Sequence, residues 1–123
     1  KNKKFKCVFT NDIMEMFAKA DLAISRCGAS TAAELSYTQT PFIAVPYPLA
    51  LDNHQYLNAK YYKEKKYCWI LEQKNFDSDN LFNLIMKILQ DRNNLKNISL
   101  KMKKNNDKKT FENIKKIIEI YLK

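Results

Sequence analysis

Three short stretches of this chain gather the side chains whose types and spacing could do chemistry. In GASTAAE, the chain's one glycine, Gly28, stands ahead of Ala29, Ser30 and Thr31, with Glu34 one helical turn further on. Small residues at a helix start leave its first backbone N–H groups open, which makes an anion seat with two hydroxyls in reach. A phosphate is the natural guest. A carboxylate one turn in can accept two hydroxyl donors from a sugar, as acidic residues do for ribose in dinucleotide sites. The plain alternative for the same residues is a capping box, with Thr31 at the N-cap and Glu34 three positions later. In the second stretch, DNHQYLN, the residues Asp52, Asn53, His54, Gln55 and Asn58 crowd hydrogen-bonding groups at another helix start. That set suits a polyhydroxylated ligand, and a solvated helix start carries the same residue types. In the third stretch, FTND, Phe9 and Thr10 precede Asp12.

His54 is the single histidine. It has no Ser or Cys partner at a recognisable spacing, and a lone His is commonly a surface residue. No run of carboxylates, thiols or imidazoles has metal-ligand spacing, so the sequence gives little support to nucleophilic or metal-dependent hydrolysis. No catalytic residue is assigned.

The elements that must position these residues follow from apolar periodicity. A strand is predicted over 5–9 (FKCVF), then a helix behind Asp12 with Ile13, Met16, Phe17 and Ala20 on one face. Further strands are predicted over 22–25 (LAIS), 41–46 (PFIAVP) and 67–71 (YCWIL), with helices over about 30–37 and 52–65 between them, the second carrying Asp52 near its N-terminus. Strand and helix in alternation predict right-handed crossovers, a parallel sheet and the α/β class. The three polar stretches then all fall at the carboxyl ends of strands, the edge where such sheets bind ligands. From residue 73 the pattern is helical only. Leu81, Leu84, Ile85, Ile88 and Leu89 keep one stripe, Phe111, Ile114, Ile117, Ile118 and Tyr121 another, and a short polar helix and a turn are expected between them. A βα core over 1–72 and helices over 73–123 are thus expected within one partial domain. Gly28, the lone glycine at a strand-to-helix junction, is expected to mark a constrained turn.

At 123 residues the chain has room for one core, and 46% hydrophobic content is globular. No apolar run reaches the length of a membrane helix. Cys7, Cys27 and Cys68 each sit in or beside an apolar segment, which fits buried, reduced thiols and a cytoplasmic setting. The basic start is not a secretory signal, and opening on Lys1 rather than Met points to a longer protein. Of the net +9, the stretch 87–123 carries +7, from eleven Lys or Arg against four acids. This tail reads either as a solvated lysine-rich surface or as one facing an anionic partner. A nucleic-acid partner is not expected, because Phe82, Phe111 and Tyr121 fall on apolar helical faces rather than among the charges.

From Phe9 to Ala59 the residues FTNDIMEMFAKADLAISRCGASTAAEL and TPFIAVPYPLALDNHQYLNA resemble the C-terminal half of the MurG family. These bacterial transferases move N-acetylglucosamine from UDP-N-acetylglucosamine to lipid I, undecaprenyl-diphosphoryl-N-acetylmuramoyl-pentapeptide, and so make lipid II for peptidoglycan. The resemblance implies the Rossmann-like C-terminal half of a glycosyltransferase B fold, which ends here in an all-helical segment. By position it implies uracil against the backbone at Phe9 and Thr10, with Gly28 turning the chain towards the donor. It also implies diphosphate along Ala29, Ser30 and Thr31, ribose hydroxyls on Glu34, and N-acetylglucosamine near His54, Gln55 and Asn58. It further implies peripheral placement at the cytoplasmic face of the plasma membrane. Because a helix N-terminus can by itself stabilise the charge that grows on a leaving diphosphate, a donor site with no metal and no cofactor is expected. The family's acceptor domain, where the catalytic base is expected, has no counterpart in this sequence. Thr38, Gln39 and Thr40 stand where relatives often have a second glycine, and KEKKYCWIL replaces a turn of small residues. Two competing readings are the donor part of another UDP-sugar transferase and a non-catalytic basic module for anionic lipid or RNA.

Overall fold

Parallel strands need a crossover to carry the chain back, and the order of elements in the computed structural model obeys that constraint. The structure describes residues 10–105 together with 112, 115–117, 119 and 120. Helix α1 (Ile13–Lys19) leads to strand β1 (Ala23–Ser25), α2 (Ala29–Tyr37) to β2 (Phe42–Ala44), and α3 (His54–Glu64) to β3 (Cys68–Ile70). Helices α4 (Ser78–Leu89) and α5 (Arg92–Asn105) follow. The strands form one parallel sheet in the order β1-β2-β3, with Ala23, Phe42 and Cys68 in register. The α/β class, the parallel sheet and the helical end are as the periodicity implied. The predicted strand over 5–9 lies outside the described residues, as do Phe111, Ile114, Ile118 and Tyr121. Among the described residues no helix is long and apolar enough to cross a membrane.

Strand β2 is central and buried on both faces, which is why its sequence is a continuous apolar run rather than an alternation. Its period of two still divides the core. Phe42 and Ala44 pack with Ala32, Leu35, Ala59 and Cys68 against α2 and α3, while Ile43 and Val45 pack with Leu71 and Ile88 under α4. Helix α5 reaches both clusters, through Ile98 and Met102 in the first and Leu95 in the second. The short polar helix expected there is in fact 14 residues long and part of the core. Its three buried residues share one face but are diluted by Lys and Asn, so the stripe was too thin to read.

Helix boundaries are set by local hydrogen bonds. Asp12 caps α1, its Oδ1 accepting from Glu15 N at 3.1 Å, and Asp77 caps α4 in the same way. Helix α2 ends in a Schellman motif: Gln39 N donates to Ser36 O and Thr40 N to Leu35 O. Helix α3 ends likewise, with Lys66 N on Lys63 O and Tyr67 N on Tyr62 O. The left-handed residue of each motif is Gln39 (φ 62°) and Lys66 (φ 64°), where glycine is usual. Thr40, almost fully buried, donates its hydroxyl to Phe17 O at 2.7 Å and so ties the end of α1 to the turn before β2.

Candidate functional site

Because the strands are parallel, the segments that follow β1 and β2 leave the sheet on the same edge, and the last bridge between them is Val45 N to Ser25 O at 2.8 Å. Beyond it the chain enters α2 through residues 26–28 and α3 through residues 45–53. Both predicted junctions therefore meet in space. Thr10 stands at the start of α1, its Oγ1 accepting from Asp12 N, and Phe9 lies outside the described residues.

Gly28, not Thr31 or Ser30, is the N-cap of α2, which removes the capping-box alternative. No side chain caps this end, and its first turn holds no acid. The N–H groups of Ala29, Ser30 and Thr31 consequently have no intrahelical acceptor, and the first helical bond is Ala32 N to Gly28 O at 3.0 Å. The expectation of a constrained turn at Gly28 fails: its φ of −67° and ψ of 155° suit any residue. A Cβ placed there would meet only Gln55 Nε2, at an ordinary 3.8 Å. The chain itself has no need of glycine here, and what the missing side chain leaves is bare surface beside three free N–H groups. Ser30 Oγ donates to Glu34 Oε1 at 3.0 Å, so the half-buried carboxylate leans back towards the rim of the same helix end.

The second junction is tighter than the sequence implied. Residues Leu51–Asn53 form a 3-10 turn in which Asp52 (φ 52°) and Asn53 (φ 56°) are both left-handed, and α3 begins only at His54. Asp52 thus belongs to the turn and not to the first turn of the helix. His54 Nδ1 lies 2.6 Å from Leu51 O; facing a carbonyl, it must be the protonated nitrogen, which leaves Nε2 as an exposed acceptor in the neutral ring. Gln55 Oε1 accepts from Tyr47 N at 3.0 Å and from Cys27 N at 3.3 Å, and Asn58 Nδ2 donates to Cys27 O at 3.2 Å. Gln55 Nε2 and Asn58 Oδ1 have no hydrogen-bond partner among the described residues. Burial lifts the Cys27 thiol to about 11 and the Cys68 thiol to about 12, so both are protonated packing groups rather than nucleophiles.

Arg26 escaped the sequence reading. Its Nη1 donates to Val45 O at 3.3 Å and Pro46 O at 3.4 Å, and its guanidinium lies 5.5 Å from the Tyr47 ring centroid, bracing the loop after β2. A signal existed: in a chain that uses lysine for nearly all its positive charge, Arg26 is one of two arginines, and only a planar fork bonds and stacks in this way. Two shallow concavities of about 210 and 380 Å³ flank this loop, the first lined by Pro46, Pro48 and Tyr56, the second by Arg26, Val45 and Phe76. Another, of about 580 Å³, lies between the ends of α1 and α2 and the start of α5, so size alone points away from the polar cluster.

The geometry offers backbone donors for an anion and a carboxylate for hydroxyls one turn away on α2, and a His acceptor and a Gln donor at the start of α3. The model of the glycosyltransferase family 28 C-terminal domain matches residues 2–118. The chain belongs to this family. The UDP-N-acetylglucosamine--N-acetylmuramyl-(pentapeptide) pyrophosphoryl-undecaprenol N-acetylglucosamine transferase of Pelagibacter ubique is 40% identical over 113 residues, which are 91% of this chain and 32% of that protein. The protein of the same name from Rickettsia prowazekii is 43% identical over 91 residues, 74% of this chain and 24% of its own length. Among solved structures, Acinetobacter baumannii MurG superposes with a TM-score of 0.69 at 29% identity, over 79% of this chain and 28% of that one. The chain therefore spans about a third or less of the length of these relatives. Within the family, the sheet with its flanking helices is the C-terminal half of a glycosyltransferase B fold.

Proposed function

We propose that this chain is the donor-binding part of an inverting glycosyltransferase that moves N-acetylglucosamine from UDP-N-acetylglucosamine to lipid I, giving lipid II at the cytoplasmic face of the plasma membrane. The observation that carries the reading is the open end of α2: three unpaired N–H groups, no acid in the first turn, and Glu34 leaning back to the rim through Ser30. The names borne by the relatives supply the donor and the acceptor chemistry. In this reading uracil lies against Phe9 and Thr10, the diphosphate on Gly28, Ala29, Ser30 and Thr31, the ribose hydroxyls on Glu34, and the sugar against His54, Gln55 and Asn58.

As the sugar leaves, negative charge grows on the diphosphate, and N–H groups aimed at it stabilise the transition state more than the ground state. They are fixed before the reaction, so they need no reorganisation during it. None of these residues is placed as the base that deprotonates the acceptor hydroxyl; that group is assigned to the part of the enzyme outside this chain. The lysine-rich end adds a peripheral attraction to an anionic bilayer, at about 1 kcal/mol per lysine close to the surface.

The test is calorimetric titration of UDP-N-acetylglucosamine and UDP-glucose into the longest natural form of the protein, with EDTA present and Glu34→Ala as control. Binding that prefers the N-acetyl sugar, withstands the chelator and is lost in the variant supports the reading. A folded protein that binds neither donor overturns it. Binding to polyanions that is steeply salt-dependent and indifferent to the sugar would favour the basic-module alternative instead.

A further inference from the structure

We propose that Gln55 is a positioning residue whose amide oxygen ties the anion-facing end of α2 to the loop after β2, so that the two halves of the site keep one geometry. The inference rests on the donor-site reading for its ligand, although the tie itself is independent of any ligand. Oε1 accepts from Cys27 N at 3.3 Å and from Tyr47 N at 3.0 Å, and these two amides are 20 residues apart in sequence. Asn58, on the same face of α3, takes the carbonyl of Cys27 with Nδ2 at 3.2 Å. The peptide groups on both sides of Cys27 are thus held, one by its N–H and the other by its C=O, and the next residue is Gly28, the N-cap of α2. Past the last bridge of the sheet, Val45 N to Ser25 O, the spacing of the two loops depends on side chains: Gln55, Asn58 and Arg26.

Loops that face ligands are the least stable parts of a fold, whereas an anion seat works only when its N–H groups are already aimed. A side chain that holds both loops from a helix meets the two demands together. The double acceptance also fixes which way the amide points. Nε2 is the one group of Gln55 left for a sugar, and it can offer only a hydrogen, so the sugar atom it meets must be an acceptor.

Two measurements on the longest natural form of the protein separate this role from a simple ligand contact: amide hydrogen exchange at Cys27 and Tyr47, and titration with UDP, which lacks the N-acetylglucosamine that Gln55 would touch. In Gln55→Met both amides should exchange faster and UDP should bind more weakly, each by about tenfold, the worth of one hydrogen bond. Gln55→Glu keeps an oxygen in place and should restore slow exchange. His54→Ala, which removes a side chain bonded only to Leu51 O, should leave both amides slow. Asn58→Ala is the milder cut should Gln55→Met not fold; it should speed exchange at Cys27 and spare Tyr47. If Gln55→Met leaves both amides and UDP affinity unchanged, or Gln55→Glu fails to restore protection, the proposal is overturned. Should the unaltered protein bind no UDP, the donor reading falls alone, and the exchange data still decide the tie.

Discussion

Replacing Gly28 by serine should move stability and binding in opposite directions. The backbone at Gly28 is an ordinary extended N-cap, and the nearest atom to an added Cβ is Gln55 Nε2 at 3.8 Å, so the fold has no objection to a side chain. Losing a glycine narrows the unfolded ensemble, which favours folding by about 0.4–1 kcal/mol. A serine oxygen can also accept from one of the N–H groups of the first turn, adding a few tenths of a kcal/mol over glycine at an N-cap. Together these are about 1 kcal/mol, or a Tm rise of roughly 3 °C. The same hydroxyl occupies a donor that the diphosphate would use, and the Cβ fills the approach to it. UDP affinity should therefore fall by at least about tenfold, equivalent to about 1.4 kcal/mol. Thermal melts paired with UDP titration measure both effects on one sample. Unchanged UDP affinity in Gly28→Ser would refute the placement of the anion, and a Tm drop of several degrees would refute the claim that the chain does not need this glycine.

Gln39→Gly and Lys66→Gly should each stabilise the protein by about 0.5–1 kcal/mol in urea unfolding, since each relieves a left-handed residue at a Schellman turn; a loss at either would show that its side chain contributes more than its backbone costs. Met102→Ala should cost about 2–5 kcal/mol, because Met102 is fully buried in the core that α5 closes; a change under 0.5 kcal/mol would mean that α5 is not docked as described. The two buried thiols give a pH signature. Folding raises Cys27 to about 11 and Cys68 to about 12 from the usual 9.0, so above pH 9 the unfolded chain sheds protons that the folded chain keeps. Their contribution is intact below pH 9 and is lost as pH rises through 11 to 12. The urea midpoint should fall between pH 8 and pH 10, and by less in Cys68→Ala; an equal slope in that variant would refute the assignment.

What could be read in the sequence was whatever a local pattern encodes. The PFIAVP run announced a buried strand because a central parallel strand is apolar on both faces, and Asp12 announced a helix start because its carboxylate reaches an N–H three residues away. The resemblance carried the family and the order of the junctions. Hidden were features that depend on partners distant in sequence or on a residue doing an unusual task. Gln39 and Lys66 stand in the left-handed region without any glycine to advertise it. Gln55 and Asn58 read as sugar contacts, yet half of each amide is spent on Cys27 and Tyr47, a use fixed by how α3 packs beside α2 rather than by anything near them in the chain. Gly28 misled for the opposite reason, since its backbone conformation is ordinary and a Cβ there would meet nothing closer than Gln55 Nε2 at 3.8 Å.

The placement of Glu34 carries the last step. In a capping box the acid would sit in the first turn and spend its charge on the helix's own N–H groups, closing the end to any anion. Here Gly28 is the cap, so Glu34 falls in the second turn, and its carboxylate is drawn back to the rim by Ser30 Oγ. The positive end of the helix stays open while an acceptor for hydroxyls, carried by a residue one helical turn beyond Ser30, stands near its rim. A ligand that satisfies both must carry a strongly anionic group and, a few ångströms away, hydroxyls able to donate to a carboxylate. A nucleoside diphosphate has that layout, with phosphate and ribose diol in sequence, whereas free phosphate would use the first feature and be repelled by the second. Glu34→Gln should therefore weaken UDP binding and leave inorganic phosphate binding unchanged or tighter; equal losses for both ligands would mean that Glu34 only shapes the helix end.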